Sequence, residues 1–198
     1  MIWLVPAVLG SLFAAWTAWS RGQHAPAVLL VALAFALVFA IGRRIEAGRD
    51  TDWQQAALRV KGNFRRSLSP DDLAAFGPAP WTTWAADGEL QFPRAIDGRA
   101  AQPPFALLQV RYSMRERRGE EHPDSWYEVS VAAVAMPQGG PARALVAIGD
   151  GAHAGAHNGR TLFLWQKGGP GAGASLPAAA LPDLLQHARA LAARQPAK

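Results

Sequence analysis

Charge is almost absent from one end of this chain, and that asymmetry limits the possible folds more than any other feature. Between Met1 and Gly42 the only charged side chain is Arg21, whereas the full 198 residues carry 20 Lys and Arg against 15 Asp and Glu. A mean hydropathy of zero is therefore the average of two unlike segments, and each has to be read by itself.

Within the uncharged segment, Ile2 to Trp19 is an apolar run broken only by Pro6, Gly10, Ser11 and Thr17, and Ala27 to Gly42 is a purer one. Leu, Ile, Phe and Val each contribute about −0.3 to −0.6 kcal/mol to insertion, so the second run gains several kcal/mol in oil with no charge to oppose it. The expectation is two transmembrane spans, near 2–19 and 26–43, forming a hairpin over 1–44. Arg21-Gly22-Gln23-His24-Ala25-Pro26 between them holds helix breakers and is too short to separate the spans. Ala32, Ala36 and Ala40, like Ala7, Ser11 and Ala15, recur every fourth residue and would let two helix backbones approach closely. A cleaved signal peptide is the rival, since Ala25-Pro26-Ala27 resembles a processing site, but no basic stretch precedes the apolar run.

Basic residues set orientation. Arg21 stands alone between the spans while Arg43, Arg44 and Arg49 follow the second, which predicts both termini in the cytoplasm at a bacterial-type inner membrane. Residues 45–66 form a basic juxtamembrane segment and 67–198 a cytoplasmic domain. Arg59, Lys61, Arg65 and Arg66 lie close to the bilayer in sequence, and juxtamembrane cations gain on the order of 1 kcal/mol each beside anionic lipid. Lipid headgroups, not nucleic acid, are the expected counter-charge; Arg111 and Arg115 form a second basic group.

In the soluble part, Ser69-Pro70-Asp71-Asp72 is a helix start and Gly77-Pro78 a stop. Trp81 to Ala86 and Glu89 to Phe92, flanking Asp87-Gly88, predict a tight hairpin. Val110, Tyr112 and Met114 alternate with Gln109, Arg111, Ser113 and Arg115, as do Tyr127, Val129, Val131 and Ala133 with their neighbours, which predicts a long antiparallel hairpin with one polar face. Ala144 to Ile148 and Thr161 to Trp165 are wholly apolar runs expected to be central strands. Leu184, Leu185, Ala188, Leu191 and Ala192 keep helical spacing and predict a terminal amphipathic helix that closes the sheet. The fold class is thus α+β with an antiparallel sheet. This order, a membrane hairpin followed by a sheet closed by a helix, resembles in outline bacterial membrane proteins with pleckstrin-homology-like domains; the resemblance is one of fold order, carried by no motif.

Chemical motifs are sparse. There is no cysteine, which excludes thiolate nucleophiles, disulfides and Cys-type metal sites. Gly149, Gly151 and Ala154 imitate a dinucleotide fingerprint, but more glycines and another strand follow where a helix N-terminus is required. Asp150, His153 and His157 could offer a carboxylate and two imidazoles to a metal, yet a Gly-rich connection between strands is the simpler reading. Glu120, Glu121, His122 and Asp124 read as a solvated hairpin tip, and Gly168 to Gly173 lacks the Lys-Ser/Thr of a phosphate loop. Trp81, Trp84, Trp126 and Trp165 are read as core. No catalytic residue and no cofactor are expected. The leading expectation is a membrane-anchored, non-enzymatic domain that binds a protein partner or lipid headgroups, within a membrane assembly or homo-oligomer. The alternative is a two-helix effector or sensor binding a small anion through Arg111, Arg115 or their neighbours. A metal-dependent enzyme built on His153 and His157 ranks third.

Overall fold

The structure, a computed structural model, describes residues 4–85, 88–114, 125–137, 140–168 and 173–194. The chain divides into two compact units, Met1–Arg49 and Asp50–Lys198.

The first unit holds α1 (Leu4–Ser20) and most of α2 (His24–Val60). Helix α1 ends in a Schellman arrangement: Gly22 takes φ 76°, its N–H reaches the Trp19 carbonyl at 3.0 Å, and the Gln23 N–H reaches that of Ala18 at 2.9 Å. Pro26 does not delay α2, because a proline in the first turn lacks only a donor that has no intrahelical acceptor there. With 37 residues, α2 is long and apolar enough to cross a membrane; α1 is a shorter apolar helix. Phe13, Leu29, Phe35 and Phe39 are exposed on these helices.

Gly48 lies inside α2, yet the helix continues through it to Val60. The reason lies beyond it: Trp53, Ala56 and Ala57 are buried against the sheet, and that packing outweighs the roughly 1 kcal/mol that an interior glycine costs. The helix closes with Lys61 at φ 57° and Gly62, whose N–H bonds to the Ala57 carbonyl at 2.9 Å. A Cβ on Gly62 would press on Ile96, so the chain can turn this tightly only with glycine there.

The second unit is α+β. Its strands are β1 (Asn63–Arg65), β2 (Leu90–Gly98), β3 (Phe105–Met114), β4 (Ser125–Ala135), β5 (Val146–Asp150), β6 (His153–His157) and β7 (Thr161–Gln166), arranged β1-β2-β3-β4-β7-β6-β5 in one open antiparallel sheet. The predicted long hairpin is β3 and β4, in register from Phe105 opposite Val134 to Met114 opposite Ser125. Both faces of the sheet are covered. On one, Ile96, Leu107, Ala132, Leu162 and Leu164 meet the end of α2 and the terminal helix α5 (Leu181–Arg194) through Leu181, Leu184, Leu185 and Ala188. On the other, Leu108, Val110, Tyr112, Val131, Phe163 and Trp165 meet Ala79, Trp81 and Phe92.

Three expectations fail here for identifiable reasons. Trp81–Trp84 is a helical turn, α4, not a strand, because the Thr82 and Thr83 hydroxyls donate back to the Ala79 and Pro80 carbonyls at 2.7 Å. The Asp87 side of its expected hairpin lies outside the described residues. Strand β3 has no wholly solvated face: Gln109 and Ser113 are buried, Gln109 under the Arg94 guanidinium and Ser113 against Glu89, whose N–H donates to its hydroxyl at 2.9 Å. Finally, Val146 to Asp150 is the last strand of the sheet and not a central one, while Thr161 to Gln166 is internal and buried along its length.

Trp53 is the test of how the long helix is held. Trp53→Ala is expected to cost the second unit about 3–5 kcal/mol. A lowered thermal midpoint measured on the full chain, with its helix content unchanged at low temperature, checks this.

Candidate functional site

A charged seam runs between α2 and the sheet. Asp50 on α2 accepts from Arg94 Nε of β2 at 2.8 Å, and both residues are buried, with Arg94 4% exposed. Arg94 Nη1 donates to Gln109 of β3 at 2.9 Å, and Gln109 in turn donates to Glu128 of β4. Ser175 closes that end by donating to the same Glu128 oxygen at 2.7 Å, and Arg66 reaches Asp50 from outside at 2.7 Å. Such a chain satisfies polar groups at the place where α2 leaves the apolar core. Removing one partner of a buried pair leaves an uncompensated charge, which is why these contacts matter beyond their own strength.

A second cluster lies beside α3 (Pro70–Ala74). Asp72 closes a capping box with Ser69 and also receives Arg65 at 2.9 Å and Arg99 at 2.7 Å. The Arg65 and Arg99 guanidiniums, with the Ser69 hydroxyl and amide, hold the Asp72 carboxyl far below its ordinary range. Asp97 is the milder case: burial pushes it up, but its bonds to Arg99 and the charges of Arg99 and Arg65 win and lower it.

The basic residues singled out in the sequence separate into two kinds. Arg65 and Arg66 are engaged by Asp72 and Asp97 and by Asp50. Arg59 and Lys61 are exposed, Arg59 beside a shallow 200 Å³ hollow it shares with Asp52, Gln55 and Ala178. Arg111 is exposed with its guanidinium 4.7 Å from the Trp126 ring centre, and Arg115 lies outside the described residues, as do Glu120, Glu121, His122 and Asp124.

The Gly149–Gly159 connection, expected to be a loop, is a hairpin of β5 and β6 with Gly151 at φ 39° in its turn. That hairpin sets Asp150 opposite His153 in register. His153 and His157 stand four positions apart on one strand, and His153 stacks on His187 of α5 at 4.6 Å; among the described residues no three His, Asp or Glu side chains converge. Three of the four tryptophans pack, Trp81 meeting Phe163 at 5.3 Å and Trp84 meeting Trp165 at 4.9 Å, both edge to face, whereas Trp126, expected in the core, is exposed beneath Arg111.

Sequence reasoning missed Asp50 and Arg94, which are separated by 44 positions, and His187. The one available signal was a lone arginine inside the apolar stretch Gln91-Phe92-Pro93-Arg94-Ala95-Ile96. Compared with protein-family models, curated proteins and solved structures, the chain matches none of them.

Two outcomes are expected. Arg94→Met, which leaves Asp50 only the exposed Arg66 as a partner, should destabilise the second unit by about 3 kcal/mol in a denaturant titration, and Arg94→Met with Asp50→Asn should recover part of it. For Asp72, the lowered folded pKa means its contribution is complete above its ordinary 3.8 and is lost as pH falls below that value toward the folded pKa. The melting temperature of Asp72→Asn should therefore fall less steeply than that of the parent below about pH 4.

Proposed function

We propose that this chain is a membrane-anchored, non-enzymatic binding module: an apolar hairpin of two spans in a bacterial-type inner membrane, with both termini and an α+β domain on the cytoplasmic side. Its target is a protein partner or lipid headgroups, within a membrane assembly. The observation that carries this reading is helix α2. Its first half carries exposed apolar side chains and no charge, and its last turns supply Trp53, Ala56 and Ala57 to the core of the domain. A helix with those two kinds of surface fits oil at one end and a sheet at the other. The exposed Arg59 and Lys61 at its end suit anionic headgroups. The likeness to pleckstrin-homology-like domains belongs to the same proposal, supported by antiparallel strands closed by a C-terminal helix.

A second reading has one specific observation in its favour. Arg111, above Trp126, pairs with no carboxylate among the described residues and could meet a small anion there.

The expected outcome is that the full-length chain stays with membranes through alkaline carbonate and leaves only with detergent; release by carbonate alone rejects the anchor. In proteoliposomes, Lys61 should react with a water-soluble acylating reagent several-fold more slowly when anionic phospholipid is present, while Lys167 does not change. Equal rates at Lys61 leave a protein partner as the target. Binding heats with nucleotides or other small anions that vanish in Arg111→Gln would favour the second reading instead.

A further inference from the structure

The two edges of the sheet are unlike. Strand β1 is three residues long, contains Arg65 and is flanked by Lys61 and Arg66, the kind of short and charged edge that discourages further pairing. Strand β5 is longer, and its one charged residue is the last, Asp150. From Ala144 to Gly149 it reads Ala-Leu-Val-Ala-Ile-Gly, without charge or proline, and Val146 is 53% exposed. Its inner side is satisfied by β6, with Val146 opposite His157, Ala147 opposite Ala156 and Asp150 opposite His153 across the Gly151-Ala152 turn.

That register fixes which backbone groups are unused. In an antiparallel hairpin with a two-residue turn, the pair flanking the turn exchanges hydrogen bonds, and such pairs then alternate with pairs that do not. Asp150, Ile148 and Val146 therefore direct N–H and C=O toward β6, and Gly149 and Ala147 direct theirs away from the sheet. Ala147 and Gly149 are both exposed.

We propose that β5 is a self-association edge, whose occupant is β5 of a second copy of this chain, paired antiparallel about a two-fold axis through Ala147. Three features favour this occupant over an unrelated strand. The outward amide and carbonyl of Ala147 meet their own equivalents, as an isologous contact requires. The register that follows sets Val146 of each copy opposite Ile148 of the other, so each exposed valine is covered by one β-branched neighbour in the close, non-hydrogen-bonded type of pair. The charges that bracket the apolar run have opposite sign, Arg143 before it and Asp150 at its end, so antiparallel self-pairing brings unlike charges together at both ends and parallel pairing would not. The result is one continuous sheet shared by two domains. The inference concerns the sheet alone and does not depend on the membrane reading; it goes beyond that reading by naming a surface and its partner.

The test uses the full-length chain, in mild detergent or in plain buffer if none is needed, so that failure of the anchor does not affect it. A dimer is expected by light scattering at micromolar concentration. Val146→Lys, which places like charges near the axis, and Ala147→Pro, which removes an outward N–H but no bond to β6, should each weaken dimerisation tenfold or more with the melting temperature of the domain nearly unchanged. The chain has no cysteine, so Ala147→Cys introduces a single thiol. Across a hydrogen-bonded pair the Cα atoms stand about 5.5 Å apart, within disulfide reach. Rapid oxidation of Ala147→Cys to a linked dimer, with Gln55→Cys remaining largely unlinked, supports the axis. A monomeric parent overturns the proposal. So does a dimer that survives Val146→Lys and fails to link through Ala147→Cys, which would place the contact elsewhere, and so does a different protein displaced from the chain by Val146→Lys.

Discussion

The docking of the last turns of α2 onto the sheet is the contact on which the rest of the second unit depends. Trp53, Ala56 and Ala57 complete a core otherwise built from strands and α5, and Asp50, one turn earlier, fixes the helix by a buried bond to Arg94. The two contacts act differently. Apolar burial supplies free energy without direction, whereas an ion pair in a low-dielectric seam tolerates only one rotation and one height of the helix. A helix held by both cannot swivel against the sheet, and the polar chain through Gln109 and Glu128 to Ser175 extends that restriction across three strands and into the segment before α5.

The same seam explains why Gln109, on the polar side of β3, is buried. A half-exposed antiparallel sheet alternates apolar and polar residues, and β3 and β4 do so in sequence. Here the alternation separates an apolar face from a face that turns polar toward one end, where Gln109, Arg94 and Glu128 lie under or beside α2. Polar residues at period two therefore marked a network that is largely buried, while Arg111, farther along β3, reaches solvent. Periodicity registers the type of side chain and not what eventually covers it.

What could be read from the chain followed from signals local in sequence. The uncharged opening segment gave apolar helices, the alternating strands gave the β3–β4 pair in one-to-one register, and the 3.6-residue pattern of Leu184 to Ala192 gave α5. What could not be read was set by distant partners or by competing local bonds. Trp81 to Trp84 has strand-forming residues, but two threonine hydroxyls and Pro80 close it into a turn. The order of strands in a sheet has no local signature, so an apolar β5 could pass for a central strand. Asp50 and Arg94 meet only once the helix is docked, and neither has a neighbour in sequence that announces the other.

Strand β6 shows the most direct conflict between composition and structure. His153-Ala-Gly-Ala-His157 has the makeup of a loop, yet it is an interior strand between β5 and β7. Gly155 is what permits this: a Cβ there would stand 2.7 Å from the Phe163 carbonyl, so β6 can approach β7 only where no side chain intervenes. The small residues that suggest flexibility are thus the condition for close pairing. They also leave β5, the next strand outward, resting on a thin layer of Ala and Gly with few side chains to shield its edge. A strand in that position has to find its remaining hydrogen bonds in water or in another chain, and its apolar run before Asp150 offers more to a second strand than to water.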